Sequence, residues 1–421
     1  MRPVMRVGDE ITIEATELVA GGAAMARVDG LPLFATNVFT GDRALVRITE
    51  AKKGFARAEL VRIVEPSPLR RAAPCPVAGD CGGCNWTALR LDAQLQAKQH
   101  ILTESLRRIG KIDPATLPPI ALHPSPLNYR IRSRLHRDGG NVGFFAMRSN
   151  RVVPLPHECE VVGVETARRF GSDPVTPLPS GNGTDLGPAG TRSSSSAAFG
   201  PESGHASARP YKGGEEGRPG VIDEISIWEL GGELITTPRE LTIRVAGQAF
   251  GLATDTFFQV NRHLLATMFD LVARNASRSA EKRKAVDLYS GAGFFTAAFT
   301  KIFERVTAIE GLRMTSEYGR RNADQRVKVI NAAVEEWVER MPRSDFVFLD
   351  PPRSGARKNV IERIAERTGS MICFLACDPV TFARDASRLI ASGWRLSTLD
   401  LLDLFPNTHH VETLSSFERA S

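Results

Sequence analysis

From Asp9 to Glu65 polar and apolar residues alternate in short runs, the period-two pattern of half-buried strands. "DEITIEATELV" alternates, and "AMARVDGLPLFA" carries Asp29-Gly30 between two β-prone runs as a hairpin signal. "DRALVRITEAKKGFARAELVRIVEP" adds two strands across a basic turn. Four or five short strands predict a small closed barrel of the OB type over residues 1–65. The rhythm then changes to a helix over 87–109, "TALRLDAQLQAKQHILTESLRRI", followed by strands. Residues 171–220 are rich in Gly, Ser and Pro and poor in large apolar side chains. Such a segment cannot offset its ordering entropy by burial, so a disordered insertion is expected there, inside a central α+β domain at 66–275. From 276 to 421 the runs "KAVDLYSG", "RVTAIEG", "VKVINA", "DFVFLDPPR" and "MICFLACDP" are separated by helical segments. That alternation predicts a doubly wound, Rossmann-like α/β domain with a mainly parallel sheet.

Composition adds less. The chain has 421 residues, enough for two or three domains, and 42% hydrophobic residues suit a globular protein. A formal charge of +6 is compatible with a polyanionic partner without requiring one. Local charge says more. "NYRIRSRLHRDGG" places Arg130, Arg132, Arg134, His136 and Arg137 along a strand, which suits either phosphates or a solvated sheet face. Lys52, Lys53 and Arg57 surround Phe55 in the barrel's basic turn, offering charge beside a stacking ring. No apolar run is long enough to span a bilayer, and the N-terminus has no apolar signal region, so a cytoplasmic monomer is expected.

Open α/β sheets carry function at the carboxyl ends of their strands. "VDLYSGAGFFT" runs from a strand into Gly291 and Gly293 and then a helix, and Glu310 closes the next strand at the spacing of a ribose-binding acid. Tyr289 is placed to line this site. The third glycine of the dinucleotide fingerprint is missing, which favours S-adenosylmethionine over a pyrophosphate-bearing cofactor. Asp350 tips the fourth strand in "LDPPRSGA" and Cys377 the fifth in "FLACDPVTFARD". Cys377 reads as a nucleophile or a packed thiol, and Cys373 as core. Glu412 lies just inside the final strand, after "LFPNTHHV". The remaining cysteines form a separate set. Cys75, Cys81 and Cys84 follow C-x₅-C-x₂-C, with Cys159 as a distant fourth. Four thiolates suit a [4Fe–4S] cluster, with zinc as the alternative.

Together these motifs resemble the iron–sulfur class of RNA 5-methyluridine methyltransferases that modify 23S rRNA. "RVGDEITIEATELVAGGAAMARVDG" is similar to their opening TRAM domain, and "CPVAGDCGGC" with Cys159 to their cluster ligands. "FFQVN", "DLYSGAGFFT", "LDPPRSG", "CDPVTFARD" and "LFPNTHHVE" follow their motifs in order. The resemblance implies Cys377 as nucleophile on carbon 6 of uracil and Glu412 as proton acceptor. It implies contacts from Gln259, Tyr289, Glu310 and Asp350 to the cofactor or the target base. RNA is the implied partner, with a tRNA T-loop uridine as the rival to 23S rRNA and a non-catalytic RNA-binding factor as a further alternative. Phe294 stands where members often carry Asn, and "INAA" has alanines where polar residues are common.

Overall fold

The computed structural model describes residues 5–172 and 222–419. All but the first two residues of the expected insertion therefore lie outside the described residues. Six strands form the N-terminal unit: β1 (Glu10–Glu14), β2 (Glu17–Leu18), β3 (Ala24–Val28), β4 (Leu31–Thr36), β5 (Arg43–Ala51) and β6 (Ala56–Glu65). They pair in the order β1-β5-β6-β4-β3-β2, so the two edge strands are consecutive in the chain. Between them the Ala15 and Thr16 amides donate to the Asp42 and Met25 carbonyls at 2.9 and 2.8 Å, which curls the sheet onto itself. Ile13, Leu18, Ala26, Leu33, Val46 and Ile48 fill the interior. The strand beyond the expected five is β2, whose two residues are too few to show a period.

The central segment contains α1 (Leu91–Arg108), β7 (Ile120–His123), β8 (Arg132–Asp138), β9 (Asn141–Phe145), β10 (Val152–Pro154) and α2 (Val164–Phe170). After the undescribed stretch come β11 (Asp223–Leu230), β12 (Glu233–Ile235), β13 (Glu240–Val245) and β14 (Gln248–Ala253). An antiparallel sheet runs β10-β9-β8-β11-β12, and β13–β14 is a separate hairpin. Its arginines do not form the single outward face the alternation suggested. Arg130 precedes the strand with its Nε buried, and Arg132 lies 5.2 Å from the Trp228 ring and donates to the Thr256 carbonyl. Arg134 faces Glu224 at 3.6 Å, which leaves Arg137 exposed at the strand's end.

The C-terminal unit follows the expected alternation: α3 (Leu265–Ser277), β15 (Lys284–Leu288), α4 (Thr296–Phe299), β16 (Arg305–Glu310), α5 (Arg313–Asn322), β17 (Val327–Asn331) and α6 (Val334–Trp337). It continues with β18 (Ser344–Leu349), α7 (Lys358–Arg367), β19 (Thr368–Ala376), α8 (Pro379–Ala391), β20 (Trp394–Leu402) and β21 (Glu412–Arg419). The sheet order is β17-β16-β15-β18-β19-β21-β20-β7. Strands β15 to β19 are parallel, while β21 runs antiparallel between β19 and β20. The last position belongs to β7, which pairs in parallel with β20 although it comes from the central segment. The boundary drawn at residue 276 falls inside α3, an amphipathic helix that buries Met268, Phe269 and Val272. Phe294, the departure from the usual motif, is core: its ring centroid lies 5.1 to 5.6 Å from those of Phe250, Phe258 and Phe269.

Buried polar groups tie the units together. Lys98 of α1 has no exposed side-chain surface; its Nζ donates to Asp403 Oδ1 at 2.6 Å and to the Phe405 carbonyl at 3.0 Å. Trp86 Nε1 donates to the Gly22 carbonyl of the barrel at 3.1 Å. A Cβ on Gly22 (φ +84°) would stand 2.6 Å from Asn85 Nδ2 and 2.7 Å from His409 Cβ, so the barrel turn rests directly on the segment before β21.

Asp287, inside β15, is 1% exposed. Thr296 Oγ1 donates to its Oδ2, and its Oδ1 has no partner among the described residues. Burial, reinforced by the charges of Asp350 and Glu310, pushes its carboxyl up to about 8 from 3.8. The folded chain therefore holds this proton more tightly than the unfolded chain. Stability is highest below the unfolded value and falls as pH rises from about 4 through about 8. Asp287→Asn is expected to remove that decline, gaining melting temperature relative to the parent as pH is raised from 5 to 9. Parallel melting curves for the two proteins would assign the titration elsewhere.

Candidate active site

The register between β19 and β21 brings the two principal side chains together. Pairing runs from Met371 opposite Glu418 to Ala376 opposite Thr413. One further step on the same register sets Cys377 opposite Glu412, and directly opposed residues in an antiparallel pair project to the same face. Cys377 ends the strand, and Asp378 turns the chain into α8 by accepting from the Val380 and Thr381 amides at 3.0 and 2.8 Å. Asp350 joins them from β18: its amide donates to the Leu288 carbonyl at 3.4 Å, and its Oδ2 accepts from Gln259 Nε2 at 3.3 Å. Two residues on, Asn261 anchors the same segment by donating to the Leu404 carbonyl at 2.9 Å.

These groups perturb one another. Burial pushes the Cys377 thiol up, and the carboxyls of Glu412 and Asp350 push it further. Burial and then Asp350 hold Glu412 well above the usual carboxylate range. Asp350 is pushed up to about 7 by burial, against which the Gln259 hydrogen bond acts. Arg353, in the "DPPRSG" loop, is the cation that opposes the shift of both Cys377 and Glu412. Its guanidinium meets the His410 ring at 3.1 Å. A thiol and two carboxyls gathered at one strand edge suit a cationic ligand, whose charge would favour the ionised form of each acid.

The residues expected to face the cofactor lie along the neighbouring strand tips. Tyr289 follows β15 with φ +61° and donates its hydroxyl to Glu335 Oε1 at 2.9 Å. Gly291 and Gly293 take φ values of +55° and +86°. The amides of Gly291 and Leu312 donate to the two carboxylate oxygens of Glu310 at 2.9 and 2.7 Å. Glu310 thus fastens the glycine loop to the turn after β16. Asn322 fixes the loop from behind, donating to the carbonyls of Ala292 and Gly251 at 2.9 Å each.

Cys75, Cys81, Cys84 and Cys159 line one cavity, with Phe144, Leu155 and Asn407. Gly82 and Gly83 permit the close approach to β9: a Cβ there would lie 2.7 Å from the Phe145 carbonyl and 2.9 Å from the Phe144 ring. Burial pushes the Cys81 thiol up to about 11 and raises Cys84 further, with Arg130 opposing both shifts. Among the described residues, no group of three or more His, Cys, Asp or Glu side chains is drawn together tightly enough to hold a single metal ion. The four thiols surround a space without forming the compact ligand set the spacing suggested.

Every expected site residue thus falls into one of two places, the sheet's carboxyl edge or the cysteine cavity. Sequence reading missed Arg353, Lys98 and Asn407. Local pattern gave no signal for them, since Arg353 meets His410, Lys98 meets Asp403 and Asn407 meets Glu160, each pair more than fifty residues apart in the chain. Asn407 alone left a trace, as asparagine in a Pro-Asn turn.

Comparison with known proteins identifies the domains. The TRAM domain model matches residues 5–61, and the model described as tRNA (Uracil-5-)-methyltransferase matches residues 238–419. An uncharacterized RNA methyltransferase of Corynebacterium efficiens is 30% identical over 428 residues, covering 100% of this chain and 97% of the relative. One from Gloeobacter violaceus is 29% identical over 455 residues, covering 98% and 97%. Among solved structures, the Pyrococcus abyssi tRNA (uracil-54, C5)-methyltransferase in complex with S-adenosyl-L-homocysteine shares the fold, with a TM-score of 0.63, 21% identity, and coverage of 97% of this chain and 100% of that one. No helix among the described residues is long and apolar enough to cross a membrane. The chain thus belongs to the RNA methyltransferases, with a TRAM domain at its start and a match to the tRNA (Uracil-5-)-methyltransferase model over residues 238–419.

Proposed function

We propose that this chain transfers a methyl group from S-adenosylmethionine to carbon 5 of a uridine in 23S rRNA, with Cys377 as nucleophile and Glu412 as proton acceptor. The observation that carries the reading is the β19–β21 register, which sets a thiol opposite a buried carboxyl at the carboxyl edge of the sheet. Carbon 5 of uracil is a poor nucleophile. The Cys377 thiolate adds to carbon 6, the ring electrons move to the carbon 4 oxygen as an enolate, and carbon 5 becomes able to attack an electrophilic methyl group. S-adenosylmethionine supplies that methyl and the positive charge that favours the Cys377 thiolate. Glu412 then takes the carbon 5 proton, the carbon–sulfur bond breaks, and the thiolate returns. A raised pKa makes the Glu412 carboxylate a stronger base for this step. Asp350 and Gln259 orient the uracil edge. The target base must leave its stack to reach Cys377, while the barrel and the exposed Arg137 hold backbone phosphates.

The four cysteines fit an iron–sulfur centre better than zinc. Thiolates on one zinc sit about 3.8 Å apart, given Zn–S bonds of roughly 2.3 Å in a tetrahedron. These four line an apolar-walled space with the Arg130 cation beside it and are not drawn together as a single ion would require. Cys75, Cys81, Cys84 and Cys159 would hold a [4Fe–4S] cluster, whose contribution here is to staple the two cysteine segments together. A tRNA uridine is the second reading, favoured by the description of the matched family model.

Four tests follow from these roles. RNA carrying 5-fluorouridine is expected to form a stable covalent adduct in the presence of S-adenosylmethionine, and Cys377→Ala is expected to form none; an adduct surviving in that variant would remove Cys377 as nucleophile. On ordinary RNA, Glu412→Gln should accumulate methylated adduct while turnover falls roughly 10²–10⁴-fold, the usual worth of a positioned base. Mass mapping of 5-methyluridine in a strain lacking the chain is expected to show a loss from 23S rRNA, whereas a loss from tRNA alone would favour the second reading. Protein purified without oxygen should be brown and contain about four irons per chain, with both properties lost in Cys84→Ser; stoichiometric zinc without iron would rule out the cluster.

A further inference from the structure

Asn407 touches the cysteine cavity and the loop that leads to Glu412 at the same time. It has no exposed surface, and its φ of +65° is one that asparagine tolerates better than most residues. Its Nδ2 donates to Glu160 Oε2 at 2.8 Å. Its Oδ1 accepts from an Arg71 guanidinium nitrogen at 3.0 Å and from Gln94 Nε2 at 3.1 Å. Its amide donates to Gln94 Oε1 at 2.7 Å, and its carbonyl accepts from the Asn85 and Trp86 amides at 3.1 and 3.0 Å. Two of these partners adjoin cysteines of the cavity: Asn85 follows Cys84, and Glu160 follows Cys159. The side chain itself lines that cavity. A second tie runs beside it, with the His409 amide donating to Asn85 Oδ1 at 3.1 Å.

The other catalytic groups are held differently. Cys377 hangs from β19 and the cap of α8, and the glycine loop hangs from Glu310 and Asn322. No hydrogen bond to the Glu412 carboxyl is found among the described residues, so the backbone entering β21 decides where it points. That backbone is the short run after Asn407.

We infer that Asn407 is a positioning residue that carries the folded arrangement of the two cysteine segments to Glu412, so that proton removal, and not attack by Cys377, depends on an intact cysteine cavity. The inference rests on Glu412 being the proton acceptor. Asn407→Asp is the informative change. It keeps the shape and the acceptor facing Arg71 and Gln94, but replaces the donor facing Glu160 with an oxygen. Adding Glu160→Gln restores an amide–carboxylate pair with the roles exchanged, while Arg71, which also donates to Glu160 Oε2 at 2.8 Å, keeps its acceptor on the side chain at 407.

The experiment compares the parent, Asn407→Asp and the double variant. In Asn407→Asp, adduct formation with 5-fluorouridine RNA should proceed at the parental rate. On ordinary RNA, release of methylated product should slow on the order of 100-fold, the cost of an ångström-scale misplacement, with methylated adduct accumulating on denaturing gels. The double variant should recover most of the release rate. Parental turnover in Asn407→Asp, equal loss of attack and release, or failure of Glu160→Gln to rescue would each overturn the inference. If the parent itself forms no adduct with 5-fluorouridine RNA, the proposed function fails instead. Hydrogen exchange then decides the coupling by itself. Faster exchange across 403–412 with unchanged exchange across 374–377 in Asn407→Asp supports it, and unchanged exchange across 403–412 overturns it.

Discussion

One reversed strand governs the chemistry of this sheet. Each parallel strand delivers only its last residues to the carboxyl edge. β21 runs the other way between β19 and β20, so it delivers its first residue there, and that residue is Glu412. The backbone ladder fixes which side chain stands opposite Cys377. Since side chains alternate across a strand, a slip of one residue would turn Glu412 to the opposite face and leave Thr413 in its place. The fine position of a reacting pair thus comes from main-chain hydrogen bonds, the least adjustable contacts in the fold.

The second constraint is electrostatic. Asp350, Glu412 and Cys377 crowd one rim of low polarity, and burial raises all three toward their neutral forms. Arg353 offsets part of this from an exposed position. On the proposed mechanism, a cation arriving at this site would favour the ionised forms of Cys377 and Glu412 together.

Much of this was legible in the chain. The alternation of apolar runs and helices in 276–421 located the sheet, and strand ends located Tyr289, Glu310, Asp350 and Cys377, because open sheets expose function at that edge. Short-range patterns failed where contacts are long-range. The two-residue β2 has no periodicity to detect. β7 belongs to a sheet whose other strands begin 160 residues later, so nothing local marks it as an edge. The arginines of 130–137 looked like one charged face, but tertiary packing takes Arg132 against Trp228 and turns Arg130 toward the cysteines. Glu412 was identifiable as a residue, but its distance from Cys377 in sequence hid the pairing that gives it meaning.

The parallel contact between β20 and β7 has a practical side. Leu399 to Leu402 hydrogen-bond with Ile120 to His123, and His123 Nε2 lies 2.8 Å from Asp400 Oδ1. A fragment cut at residue 276 would lose this partner, expose the ladder of β20, and leave all but the last two residues of α3 behind. Such a piece would carry every residue of the "DLYSGAGFFT" to "LFPNTHHVE" series and still present a raw sheet edge ready to pair with another copy. Catalytic motifs therefore do not delimit a foldable unit here, and anyone trimming the chain for expression should keep the segment from Ile120 attached.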